Sequence, residues 1–111
     1  MPLDTDPTIE QIITAMPQRF NPDAAGGLDA VIQFVLTGSN GADYYAIIRD
    51  GACRLFEGRH QQPTLTLKMS TDTYVDMAMG RETGQNAFFK RKLTYKGPIN
   101  LVVNLHKFFT R

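Results

Sequence analysis

Residues Leu28 to Thr37 read LDAVIQFVLT. Leu28, Ala30, Ile32, Phe34 and Leu36 alternate with Asp29, Val31, Gln33, Val35 and Thr37, the period of a strand. Working outward, Ser39-Asn40-Gly41 is a hairpin signal. DYYAIIRD (43–50) reads as a second strand, Asp50-Gly51 as the next turn and ACRLFEG (52–58) as a third strand. TLTLKM (64–69) alternates most cleanly, with Leu65, Leu67 and Met69 on one face and Thr64, Thr66 and Lys68 on the other. Connections this short predict an antiparallel meander with one buried face.

Helical patterns flank the strands. Ile9, Ile12, Ile13 and Met16 fall at helical spacing, so a helix is expected over Asp6 to Met16, with Asp6 capping and Pro7 at the first position. Pro17 stops it, and RFNPDAAGG (19–27) turns the chain. After the fourth strand, Ser70 or Thr71 caps a helix through Met79 that ends at Gly80. Gln85 to Arg91 forms another, Leu93-Thr94-Tyr95 a fifth strand, and Gly97-Pro98 starts the last helix. The expectation is α+β: about five strands, mainly antiparallel, with helices on one face, in a single domain over residues 1–111.

Composition removes several function classes. A chain of 111 residues suits one domain. It lacks the run of about 18 apolar residues that a membrane-spanning helix needs. The acidic start MPLDTDPTIE has neither a basic lead nor an apolar signal core, so a cytoplasmic protein is expected. Cys53, His60 and His106 are too few and too scattered for a metal site. No G-x-S-x-G elbow is present, and Thr83-Gly84-Gln85-Asn86 lacks the ending of a phosphate loop. Neither an enzyme nor a cofactor is expected.

Charge is unevenly spread. Residues 1–80 carry five Lys/Arg against ten Asp/Glu, whereas residues 81–111 carry seven against Glu82 alone. Lys90, Arg91, Lys92 and Lys96 form no extended patch interleaved with aromatics, so nucleic acid is not an expected partner. They read as the solvated end of a helix or as a rim that attracts acidic groups.

The last helix is too apolar for an ordinary surface element. Ile99, Leu101, Val102, Val103, Leu105, Phe108 and Phe109 sweep roughly 220° at 100° per residue. Such a helix is either central to the core or has one side on the sheet and the other on a ligand, a lipid surface or a partner chain. A second apolar surface follows from strand alternation. If Phe34 and Leu67 face inward, Val31, Val35, Tyr45 and Ile47 lie together on the opposite face. Either a partner or second copy covers them, or they are scattered surface residues.

The ordered words VIQF (31–34), YYAIIRDG (44–51), TLTLKMS (64–70) and AFFKRKLTYKGPINLVVNL (87–105) resemble the sterol carrier protein type 2 domain family. The resemblance runs from about Asp6 to Phe109. It implies one apolar ligand (fatty acid, fatty acyl-CoA, sterol or phospholipid) bound in a tunnel between sheet and helices, without catalysis or cofactor. By position, Phe34, Met77, Met79, Phe88, Leu101, Leu105 and Phe108 would line or close it, with Phe108 foremost. Arg91 stands where glycine is common in the family signature. Many relatives anchor a carboxylate near the junction of first helix and first strand, where this chain has Ala24-Ala25-Gly26-Gly27, with Arg19 the nearest basic residue. The role implied is lipid binding or transfer, with transient contact to a membrane surface. The alternative is an interaction module that reuses the fold beside a lipid-handling enzyme.

Overall fold

A computed structural model of the protein describes residues 8–38 and 41–109. Its five strands are β1 (Ala30–Thr37), β2 (Ala42–Arg49), β3 (Ala52–Glu57), β4 (Leu65–Ser70) and β5 (Leu93–Lys96). They form one sheet in the order β3-β2-β1-β4-β5. Three of the four pairings are antiparallel, but β1 and β4 run parallel, with Phe34 opposite Leu67. The expected simple meander therefore covers only β1 to β3. Parallel neighbours cannot be joined by a tight turn, so residues 58–64 carry the chain back over the sheet to reach the far side of β1.

That return explains why β1 is buried on both faces. Ala30, Ile32, Phe34 and Leu36 face the helices with Tyr44, Ala46, Ile48, Leu65, Leu67, Met69 and Leu93. On the other face Val31 is buried too, and Gln33 is only 3% exposed. The Gln33 amide nitrogen donates to the carbonyls of Tyr44 and Gly58, each at 3.0 Å, while its oxygen accepts from the His60 N–H at 2.8 Å. One side chain thus fastens the crossover to the sheet. Tyr45 is half-buried between the Phe56 and His60 rings, each 5.2 Å away. The Val31, Val35, Tyr45 and Ile47 face is therefore not an open patch of four apolar residues. Val31 is buried, the other three are half-buried, and much of what reads as a partner surface is covered by the chain itself.

Helices cover the inner face. α1 (Ile9–Thr14) is shorter than expected and is capped by Thr8, whose side chain and that of Gln11 bond each other's backbone N–H reciprocally. Asp6 and Pro7, read as its cap and first residue, lie outside the described residues, as do Ser39 and Asn40 of the first hairpin. A 3₁₀ turn (Met16–Arg19) follows, and then α2 (Pro22–Ala25) stands where a plain turn was expected. Asn21 caps it by accepting from Asp23 and Ala24, and Pro22 fills its first position.

α3 (Thr71–Ala78) is capped by Ser70, and α4 (Gly84–Phe89) by Thr83. Both end in the same six-residue closure. At α3 the N–H groups of Gly80 and Arg81 donate to Met77 and Asp76; at α4 those of Arg91 and Lys92 donate to Phe88 and Ala87. The residue that turns left-handed is Gly80 (φ 80°) in the first and Arg91 (φ 62°) in the second. A left-handed non-glycine residue costs about 1 kcal/mol.

α5 (Ile99–Asn104) begins after Gly97, whose φ is 141°. A Cβ on Gly97 would lie 2.7 Å from the Thr64 carbonyl oxygen, so only glycine lets the chain leave β5 this close to β4. The last helix ends sooner than its apolar run, passing into a 3₁₀ turn (Leu105–Lys107). Phe109 pairs by a β-bridge with Phe20, and the Phe108 carbonyl accepts from Asn21 at 2.7 Å.

Replacing Gln33 by Met keeps the shape and removes all three bonds, leaving the Gly58 carbonyl and His60 N–H unpaired. We expect a loss of about 1–3 kcal/mol in chemical denaturation, with faster amide exchange at His60 preceding global opening. Unchanged exchange at His60 would show that the clamp does not hold the crossover.

Candidate functional site

On the inner face an apolar line crosses the sheet from its centre to one edge. Phe34 on β1 is the register partner of Leu67 on β4, which in turn faces Tyr95 on β5. The Phe88 ring of α4 lies 5.6 Å from the Tyr95 ring and 6.1 Å from that of Phe89. Burial falls along this line. Phe34, Leu67 and Ala87 are buried, Tyr95 is half-buried, Phe88 is 46% exposed and Phe89 73% exposed. Water-exposed aromatics at the end of a buried apolar row are costly for an isolated domain and useful where an apolar molecule enters.

α3 covers the inner end of the row. Tyr74 meets Phe34 edge to face at 6.1 Å. Burial raises the Tyr74 phenol well above its ordinary range, opposed by the positive field of Arg19. A neutral hydroxyl under the influence of a guanidinium can orient the polar end of an amphiphile. Met77 is half-buried beside Gly84, where a Cβ would come 3.6 Å from its Cε, and Met79 at the end of α3 is exposed. Flexible thioethers suit a surface that must fit chains of different shape.

The seven residues named from sequence separate into three groups. Phe34, Met77 and Phe88 belong to the row or its α3 cover, with Met79 exposed at the end of α3. Leu101 of α5 and Leu105 of the 3₁₀ turn after it are half-buried against the core, while Ile99 and Val103 of α5 are more than half exposed. Phe108 is 8% exposed and tied through its backbone to Asn21, so a substitution there perturbs packing first. Leu67, Tyr74 and Tyr95 were not named. Leu93 and Tyr95 share one face of a period-2 segment, a signal that places Tyr95 inward, whereas only the antiparallel register of β4 with β5 sets it beside Leu67.

Cys53 sits on the inner face of β3, opposite Ile48, and burial pushes its thiol up from 9.0 to about 11. Among the described residues no group of three or more His, Cys, Asp or Glu is placed to hold a metal ion. No helix among them is long and apolar enough to cross a membrane.

The raised Cys53 pKa has a direction in two measurements. The folded protein holds the thiol proton more tightly than the unfolded chain, so stability is lost as pH rises from about 9 toward 11. Alkylation of the native protein by iodoacetamide at pH 8 should be slower than that of the unfolded chain and rise steeply only near the upper value. Equal rates for folded and unfolded protein would show an unburied thiol.

Comparisons with known proteins agree with this architecture. The model of the SCP-2 sterol transfer family matches residues 9–110. Among curated proteins, hydroxysteroid dehydrogenase-like protein 2 of Mus musculus is 25% identical over 104 residues, covering 93% of this chain and 21% of its own length. The Bos taurus counterpart is 27% identical over 100 residues, covering 89% and 24%. This chain thus spans about a fifth to a quarter of the curated relatives it matches. Among solved structures, palmitated SCP2L2 from Aedes aegypti superposes with a TM-score of 0.78 at 16% identity, covering 91% of this chain and 93% of that one. A double mutant of the sec-alkyl sulfatase PisA1 superposes with a TM-score of 0.83 at 16% identity, covering 95% of this chain and 17% of the sulfatase. At these identities the structural likeness bears on the fold alone.

Proposed function

The chain belongs to the SCP-2 sterol transfer family, for which lipid binding or transfer is the general activity, and we propose that it holds one apolar ligand along the Phe34-Leu67-Tyr95-Phe88 row. The ligand would lie in a tunnel between the sheet and α3, α4 and α5, with Met77, Leu101 and Leu105 beside it. The observation that carries this reading is the graded exposure along the row, from a buried Phe34 to a largely exposed Phe89. Burying ten methylenes there would contribute about 8 kcal/mol. Before the cost of immobilisation, that is the scale of a micromolar Kd.

A fatty acyl chain is the ligand we put first, ahead of acyl-CoA, sterol and phospholipid. The mosquito relative is palmitated, and Tyr74 with Arg19 could receive a carboxylate. The role has no catalytic step and no cofactor, consistent with a Cys53 held as the neutral thiol. Phe88 and Phe89 project beside Lys90, an arrangement suited to brief contact with an anionic membrane surface while a lipid is exchanged. We place this role in the cytoplasm. A second reading, an interaction module beside a lipid-handling enzyme, is favoured by the much longer relatives in which the matched stretch is a minor part. It predicts partner binding that survives removal of lipid.

The test is titration with a fluorescent fatty acid. The wild type should saturate at one ligand per chain. Phe88→Asp, at a half-exposed position, should weaken binding by about tenfold with a change in stability of about 0.5 kcal/mol or less. Phe108→Asp is unsuitable because it would disturb a buried side chain. Wild-type affinity in Phe88→Asp would move the site elsewhere, and failure to bind any acyl chain, sterol or phospholipid would overturn lipid binding.

A further inference from the structure

A concave site is lined by none of the residues of the apolar row. It is an open cleft of about 360 Å³ where β1 and β4 end and α3 begins, and Lys68, Arg91 and Lys92 are among the residues lining it. Lys68 and Thr94 are cross-strand partners on the outer face of β4 and β5. Thr73 in the first turn of α3 and Ser70, its cap and the last residue of β4, contribute hydroxyl groups to the wall, as Thr94 does from β5.

The cleft carries an uncompensated positive charge. Glu82 is the one carboxylate in residues 81–111. It pairs with Lys90 at 3.3 Å and stands 3.8 Å from Lys92. Among the described residues no carboxylate pairs with Lys68 or Arg91. Three cations around one concavity, with a single carboxylate shared at its margin, repel one another unless an anion joins them.

Arg91 adds an observation of a different kind. It occupies the left-handed position of the α4 closure, the place that Gly80 takes in the matching closure of α3. Glycine would relieve the backbone there, and the chain uses glycine where the same geometry ends the preceding helix. A strained non-glycine residue whose side chain borders a cationic cleft fits a site at which the guanidinium is needed more than the relaxed backbone.

We propose that this cleft binds a phosphate group, held by Lys68, Arg91 and Lys92 with hydroxyl donors from Thr94 and the start of α3. Phosphate matches the cleft better than a carboxylate because several donors approach from different elements, which a tetrahedral, multiply charged acceptor can satisfy together. A soluble phosphate ester and a phospholipid headgroup present the same chemistry. The site does not depend on the lipid reading and stands or falls separately from it.

Amide-resolved NMR of the full chain tests it, with inorganic phosphate and then pyrophosphate as probes at constant ionic strength. Saturable shifts are expected at Ser70, Thr73, Arg91, Lys92 and Thr94, with no matching response to chloride. Arg91→Gly should weaken binding by about tenfold or more while raising the melting temperature by about 4 °C. Lys68→Gln should weaken binding without that gain. Vesicles of phosphatidylcholine with and without phosphatidic acid separate the two sources. Retention by the phosphatidate vesicles, lost in Lys68→Gln, identifies a headgroup; binding of pyrophosphate with no preference between vesicles identifies a soluble ester. Shifts that chloride reproduces, or an Arg91→Gly variant that binds as tightly as the wild type, would overturn the proposal.

Discussion

The parallel pairing of β1 with β4 is the constraint on which the rest of the structure depends. It puts β1 at the centre of the sheet, so the chain must leave β3 at one edge and return across a face to start β4. Residues 58–64 make that return over the outer face, where Gln33 bonds both Gly58 and His60. A buried amide in a central strand would be costly if unpaired, and here each of its polar atoms has a partner. The same residue that interrupts the apolar run of β1 therefore secures the connection that the sheet order demands.

Covering the outer face in this way leaves the inner face to the helices and to the proposed ligand. Parallel register brings Leu67 beside Phe34, and antiparallel register brings Tyr95 beside Leu67. Three strands thereby contribute one apolar row toward the β5 edge. α4 adds Phe88 at its end, while α5 starts close to β4 only because Gly97 lacks a Cβ. The apolar side chains of α5 are divided between the core and the surface, with Val102 packed inward and Val103 exposed. That division is the structural counterpart of a helix whose sequence is apolar around too much of its circumference.

Much of the fold was legible because local patterns agree with it. Leu65, Leu67 and Met69 alternate and are buried, Thr83 caps α4, and Asp50-Gly51 closes the hairpin between the paired Arg49 and Ala52. What local pattern could not supply was the direction of β4, because alternation is the same for parallel and antiparallel strands. From that gap followed the reading of Val31, Val35, Tyr45 and Ile47 as one apolar surface, since Val31 and Tyr45 are met by Thr64 and His60 of a loop with no periodic signal. The near-continuous run AVIQFVL did carry a hint, as strands buried on both faces lose their alternation. At the site, Phe34 and Phe88 were readable from family words, whereas Tyr74 lies outside those words and Tyr95, though inside one, enters through its pairing with the distant Leu67. Arg91 was noticed as a departure from the family signature, and its left-handed backbone gives that departure a physical meaning.

The central claim is that the inner face, from Phe34 to Phe88, is where an apolar ligand lies. Isotope-filtered NOE spectroscopy with carbon-13-labelled palmitate measures this directly. The account predicts contacts from the chain methylenes to the side chains of Leu67, Tyr95 and Phe88, with none to Tyr45 or Phe56 on the outer face. Contacts confined to the outer-face rings, or bound palmitate with no contact to the row, would contradict it.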